Sequence, residues 1–193
     1  MGQLRAADTT AEDRGFRRVS MSQYIRILNS LKQQVPRLPL TPSQRSCRHR
    51  IEDRLAHAGT VNLYGGSGVG KTVLGWSMAS GAQVTYLPCS RELALLSPAL
   101  GPREILVVDN AASDRMSHRR LLGTLEAAGV DRAVVVTRSP VDDYCFRLEL
   151  TLTSADIDIV RANLGAIGYP VREQSAQSLW KLLLEAAGVY DEP

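Results

Sequence analysis

The chain has 193 residues, 44% of them hydrophobic, and a formal net charge of +3. That length suits one ordinary domain with an appendage, and the apolar content suffices for a core. No apolar run nears the ~20 residues that a bilayer span needs, and the first ten residues lack the apolar segment of a signal peptide. Three cysteines, Cys47, Cys89 and Cys145, without C-x-x-C spacing read as reduced thiols, so a cytoplasmic protein with no membrane contact is expected.

Charge is unevenly spread. Residues 1–54 carry eleven basic and five acidic side chains, a net of +6, which leaves −3 for the remainder. A basic front of this kind suits an acidic partner, either nucleic acid or an acidic protein face. Residues 1–20 are polar and aperiodic and read as a disordered leader, with Met21 as an alternative start. Residues 21–58 read as a basic helical extension. Its first helix is expected over Gln23–Gln34, capped by Ser22, with Tyr24, Ile25, Ile27, Leu28 and Leu31 on one stripe. That stripe could pack back on the domain or dock a partner. Pro36, Pro39 and Pro42 make a stiff linker. A second helix is expected over Ser43–His57, with Cys47, Ile51, Leu55 and Ala58 on one face, ended by Gly59. Its position before the next strand makes it a candidate wall for a nucleotide base.

Residues 59–152 read as the core. Val61-Asn62-Leu63-Tyr64 is a short buried strand, and Gly65-Gly66-Ser67-Gly68-Val69-Gly70-Lys71-Thr72 follows it and opens a helix at Val73. This fits G-x-x-x-x-G-K-[ST], the phosphate-binding P-loop, in its strand-to-helix context. The glycines let backbone N–H groups face the phosphates of ATP or ADP, and the helix N-terminus adds partial positive charge. Lys71 would reach the β- and γ-phosphates, and the Thr72 hydroxyl would ligate Mg²⁺.

Strands are expected over 83–88, 104–109, 132–137 and 144–151, with helices over 91–96, 118–128, 154–164 and 174–187. Strands alternating with helices give a parallel sheet covered on both faces, and ligands of such sheets bind beyond the carboxyl ends of the strands. Asp109 ends the third strand, 38 residues after Lys71, and reads as the Walker B carboxylate that holds Mg²⁺. Asn110 stands next. Asn cannot accept a proton as a general base would, so hydrolysis is expected to be slow or to use another acid, with Asp114 and Glu92 as candidates. Thr137 and Arg138 end the fourth strand, where a hydroxyl and a guanidinium can meet a γ-phosphate.

The set Gly65–Thr72, Ile105-Leu106-Val107-Val108-Asp109-Asn110-Ala111-Ala112 and Val134-Val135-Val136-Thr137-Arg138 resembles the STAND class of P-loop NTPases, NB-ARC and NACHT domains included, within the AAA+-like group. The resemblance covers about residues 60–165. It implies an α/β three-layer sandwich with a five-stranded parallel sheet of order 5-1-4-3-2, and a sensor 1 role for Thr137-Arg138. STAND proteins continue into a helical lid and further domains; residues 153–193 supply only a short helical lid stub. No lid histidine is evident, and Arg161 and Arg172 are the sensor 2 candidates. Partners or further copies of the chain would then supply a lid or an arginine finger in trans. Three readings stay open: a slow regulatory ATPase with protein partners in bacterial signalling or defence; an AAA+-like helper of a DNA-processing, replication or transposition complex, acting through the basic residues of 1–54; and a scaffold that binds nucleotide without hydrolysis.

Overall fold

Ile105–Val108 and Arg132–Val136 carry apolar side chains at nearly every position because helices cover both of their faces. In the computed structural model, which describes residues 11–95, 104–141, 146–171 and 179–187, the order is α1 (Ala11–Gln34), a 3-10 turn (Val35–Arg37), α2 (Pro42–Leu55), β1 (Gly59–Tyr64) and α3 (Lys71–Ala79). Then come β2 (Val84–Leu87), a 3-10 segment (Ser90–Leu95), β3 (Ile105–Val108), α4 (Arg115–Ala127), β4 (Arg132–Val136), β5 (Phe146–Glu149), α5 (Ser154–Ala166) and α6 (Leu179–Ala186). The five strands form one parallel sheet, β2-β3-β4-β1-β5, the expected order read from its other edge.

The two-residue period of the strands sorts the core into two layers. Val61, Leu63, Val107, Val134, Val136 and Leu148 face Cys47, Ile51 and Leu55 of α2 and Leu74 and Met78 of α3. Leu106, Val108, Ala133 and Val135 face Leu121 and Leu125 of α4. A third apolar cluster joins Ile27 and Leu31 of α1 to Leu164 of α5 and Leu179 and Leu182 of α6. The amino-terminal helix therefore packs back on its own chain, with Ile27 fully buried.

Several boundaries differ from expectation. The helix expected from Gln23 starts at Ala11, so half of the expected disordered leader is helical; Ala, Glu and Arg propagate a helix once its far end is anchored. Residues 1–10 lie outside the described residues. Ile25 points away from the stripe and is half exposed. Gly59 opens β1 rather than capping α2, and Ala58 is exposed beyond that helix. The α2 N-terminus is a capping box: Thr41 Oγ1 accepts the Gln44 N–H, and Gln44 Oε1 accepts the Thr41 N–H. α5 starts with a second one, Thr153 with Asp156. Asp156 also accepts the Ser43 N–H at 2.9 Å and the Ser43 hydroxyl at 2.7 Å, which ties the two helix starts together. Burial alone would raise the Asp156 carboxyl, but bonds from Thr153 and Ser43 outweigh it and hold the group well below the usual carboxylate range.

Among the described residues no helix is long and apolar enough to cross a membrane. Cys47 and Cys89 are free thiols. Cys145, the start of the expected fifth strand at 144, Arg172 and the expected start of the last helix at 174 lie outside the described residues.

Candidate nucleotide site

β1 ends at Tyr64 and α3 begins at Lys71, so the loop between them must reverse direction in six residues. Two glycines make this feasible. Gly70 holds φ +90° as the residue before α3, and a Cβ there would lie 2.7 Å from Gln44 Nε2. At Gly65, φ is +152° and a Cβ would lie 2.4 Å from the Leu150 carbonyl oxygen. No side chain caps α3, so its first N–H groups are left to face the loop. Lys71 Nζ donates to the carbonyls of Gly65 and Gly66, 2.7 Å each. Its pKa is lowered chiefly by burial; Asp109 opposes the shift and Arg138 adds to it.

One cavity of about 630 Å³ gathers the expected site residues. Ser67, Gly68, Gly70, Lys71, Thr72 and Val73 line it from the loop and α3, Asp109 and Asn110 from the end of β3, and Thr137 and Arg138 from the end of β4. Gly65, Gly66 and Val69 complete the loop without lining the cavity; Val69 instead packs against the core layer below α2 and α3. β4 lies between β1 and β3, so its end opens between the other two.

Thr137, Asp109 and Asn110 are each held in part by neighbours that the sequence did not point to. Asn62, buried in the middle of β1, donates to the Val135 carbonyl at 3.0 Å and to Thr137 Oγ1 at 2.9 Å, and accepts the Val141 N–H at 3.0 Å. Thr137 Oγ1 in turn donates to the Ser139 carbonyl at 2.7 Å. The Thr137 hydroxyl, expected at a γ-phosphate, thus has its only proton committed to the turn that carries Arg138. Arg138 itself is exposed and faces the cavity. Asp109 is 2% exposed, yet both oxygens are partnered: Oδ1 accepts the Asn110 N–H at 2.8 Å and Oδ2 accepts the Tyr86 hydroxyl at 2.6 Å. Burial, followed by this bond, pushes the Tyr86 hydroxyl far above its ordinary value. Asn110 sits at φ +48°, a left-handed position that Asn tolerates and Glu does not favour, and its amide donates to the Pro88 carbonyl at 3.1 Å. Backbone geometry therefore accounts for Asn at this position.

The two alternative acids sit elsewhere. Asp114 is the N-cap of α4, accepting the Ser117 N–H at 2.8 Å. Glu92, in the 3-10 segment after β2, does not line the cavity. Arg161 pairs with Asp158 at 3.0 Å and does not line it either. The donor set fits Mg²⁺: a hydroxyl on the first turn of α3 and a carboxylate at the end of β3 share the cavity, and this hard cation keeps several waters and needs few protein oxygens. The opposite wall is apolar. Tyr24, Leu28 and Leu31 of α1, Trp76 of α3, and Leu179 and Leu183 of α6 close it. α2, the helix expected as a candidate base wall, contributes no residue to the cavity lining, whereas α1 does. α2 instead packs on the sheet and reaches the loop only through Gln44 Nε2, 3.1 Å from the Gly70 carbonyl. The T-P-S-Q run at 41–44 carried the signal for that reach, as a capping box ahead of a helix.

Neither a protein-family model nor a curated protein sequence matches the chain. Solved structures do. AMPPCP-bound DnaA from Aquifex aeolicus superposes with a TM-score of 0.51 at 12% identity over 77% of this chain, which spans 62% of that structure. Domain III of the Thermotoga maritima replication initiation protein DnaA gives 0.48 at 15% identity, over 75% of this chain and 81% of that one. The Thermotoga maritima RuvB Holliday junction branch migration motor gives 0.40 at 15%, over 64% and 52%. The fold is the α/β fold of P-loop NTPases, with the AAA+-like order in which one strand separates the P-loop strand from the strand ending in Asp109.

Proposed function

We propose that this chain is a nucleotide-binding NTPase of the AAA+-like kind that takes ATP or ADP with Mg²⁺ and hydrolyses ATP slowly. The observation that carries the reading is the single cavity shared by Lys71, Thr72, Asp109 and Arg138 on one side and by the apolar residues of α1 and α6 on the other. Phosphates belong on the first wall and a base on the second. Lys71 and Arg138 supply positive charge, Thr72 and Asp109 hold the cation, and Thr137 positions Arg138 through its turn. Slow turnover follows from Asn110, which offers no proton acceptor beside Asp109. Equilibrium binding of a fluorescent ATP analogue tests the reading: wild type binds and Lys71→Ala loses at least tenfold in affinity. Equal affinity of the two proteins refutes it.

For the biological role, an ATP-dependent helper of a DNA-processing assembly is the better supported reading. The DnaA-like fold and the arginines of α2 favour it: Arg45, Arg50 and Arg54 are exposed, while Arg48 pairs with Glu52 at 2.7 Å. DNA affinity should fall steeply with salt and drop when Arg45, Arg50 and Arg54 are replaced by Ala. No binding at low salt would leave the STAND-type reading, a regulatory switch with protein partners that complete the lid or supply an arginine finger. That reading rests on Thr137-Arg138 and Asn110, for which local hydrogen bonding and backbone conformation offer a simpler reason.

A further inference from the structure

Asp109 is held from two sides, and the Tyr86 side has no counterpart in the motif. Tyr86 stands in β2 opposite Val107, and its hydroxyl reaches past the end of β3 to Asp109 Oδ2 at 2.6 Å, a distance typical of a hydroxyl donating to an ionised carboxylate. The Asn110 N–H holds Oδ1. Two donors on two oxygens fix the plane of the carboxylate and leave each oxygen with capacity for further partners. The Tyr86 ring is also a spacer. It lies against α3 at Gly75, where a Cβ would come 3.1 Å from the ring and 3.3 Å from Val107 Cγ1. Thr72 stands one turn earlier on that helix. The same side chain thus touches the helix that carries one oxygen donor of the cavity and the carboxylate that is the other.

We infer that Tyr86 is a positioning residue that orients the Asp109 carboxylate for the divalent cation of a bound nucleotide, and that its ring sets the spacing between α3 and β3. The inference rests on the nucleotide-site reading above. It assigns Tyr86 no contact with nucleotide; the cavity-lining residues do not include it. Its effect is confined to the part of nucleotide affinity that depends on the cation.

The test is equilibrium binding of a fluorescent ADP analogue to the full chain, in Mg²⁺ and in EDTA, with the ratio of the two affinities as readout. Tyr86→Phe keeps the ring against Gly75 and removes only the hydroxyl. It should lower the ratio about tenfold, as loss of an outer-sphere partner does at metal sites, and leave the EDTA affinity unchanged. In an Asp109→Asn background the same change should have no effect on the ratio. Thermal melts monitor folding, and Tyr86→Leu, which removes the ring spacer as well as the hydroxyl, should lower the ratio further than Tyr86→Phe; an equal loss in the two variants overturns the spacer role. An unchanged ratio in a folded variant overturns the inference, as does an equal loss with and without Mg²⁺. Wild-type binding that ignores Mg²⁺ overturns it while leaving the nucleotide site intact. A wild type that binds no nucleotide at all overturns the functional reading and this inference with it.

Discussion

The two walls of the cavity are built by different physics. The wall of the P-loop, Asp109 and Arg138 stands on the ends of three adjacent parallel strands. Its side chains are fixed by hydrogen bonds that cross from strand to strand: Asn62 to Thr137, Tyr86 to Asp109, Asn110 to Pro88. The wall of Tyr24, Leu28, Leu179 and Leu183 comes from helices near the two ends of the described chain and forms by apolar packing. Hydrogen bonds are directional and fix atoms to fractions of an ångström; apolar contact fixes only that a surface is covered. The first wall suits phosphate and cation, whose geometry is demanding. The second suits a base, which needs a covered face.

The largest effect should come from crowding the first wall. In Gly65→Val the new Cβ would meet the Leu150 carbonyl at 2.4 Å, with φ at +152°. A loss of about 3 kcal/mol in chemical denaturation is expected, with nucleotide binding abolished. Asn62→Ala should cost about 2–3 kcal/mol, since it leaves the Val135 carbonyl, the Thr137 hydroxyl and the Val141 N–H each short of a partner in a buried place. Full wild-type stability in that variant would break the distinction between the walls.

His118 sharpens the comparison by exception. It is 1% exposed on α4, three residues before Leu121 on the same face, and neither ring nitrogen has a hydrogen-bond partner among the described residues. Burial lowers its pKa, so the folded chain takes up a proton on this ring only at lower pH than the unfolded chain does. The stability of the fold therefore declines as pH falls below about 6.5, the ordinary histidine value. His118→Leu should raise stability by about 1–2 kcal/mol and flatten the decline between pH 7 and pH 5, as read from urea midpoints across that range.

The smallest effect belongs to the second wall. Leu28→Ala or Leu183→Ala trims a half-buried side chain, worth about 1 kcal/mol, so ATP affinity should fall about fivefold. Tripolyphosphate, measured as a competitor of the fluorescent nucleotide, should bind as before. An equal loss for both ligands would mean that α1 and α6 do not face the base.

The local rules of the chain carried most of the first wall into the sequence. A strand-to-helix turn with glycines at fixed spacing, and apolar runs that end in Asp109 and in Thr137-Arg138, are written in consecutive residues, because strand and helix periods are local. The sheet order came with the motif resemblance, and the five strands pair as it implied. What consecutive residues do not encode is which side chain from another strand meets a given polar atom. Tyr86, Asn62 and Gln44 looked like ordinary strand or helix residues until parallel pairing and helix packing brought them to Asp109, Thr137 and Gly70. Asn110 and Thr137 were legible as polar residues at strand ends, and both line the cavity, but the left-handed turn and the Ser139 contact that hold them were not. The candidate base wall was read on α2 from its place ahead of β1, but α2 packs on the sheet and α1 lines the cavity, a choice that tertiary packing makes and local sequence does not. Sequence by itself determined the loop, the strands and the polar residues at their ends; the tertiary structure alone decided which helices close the cavity and which side chains hold its charges in place.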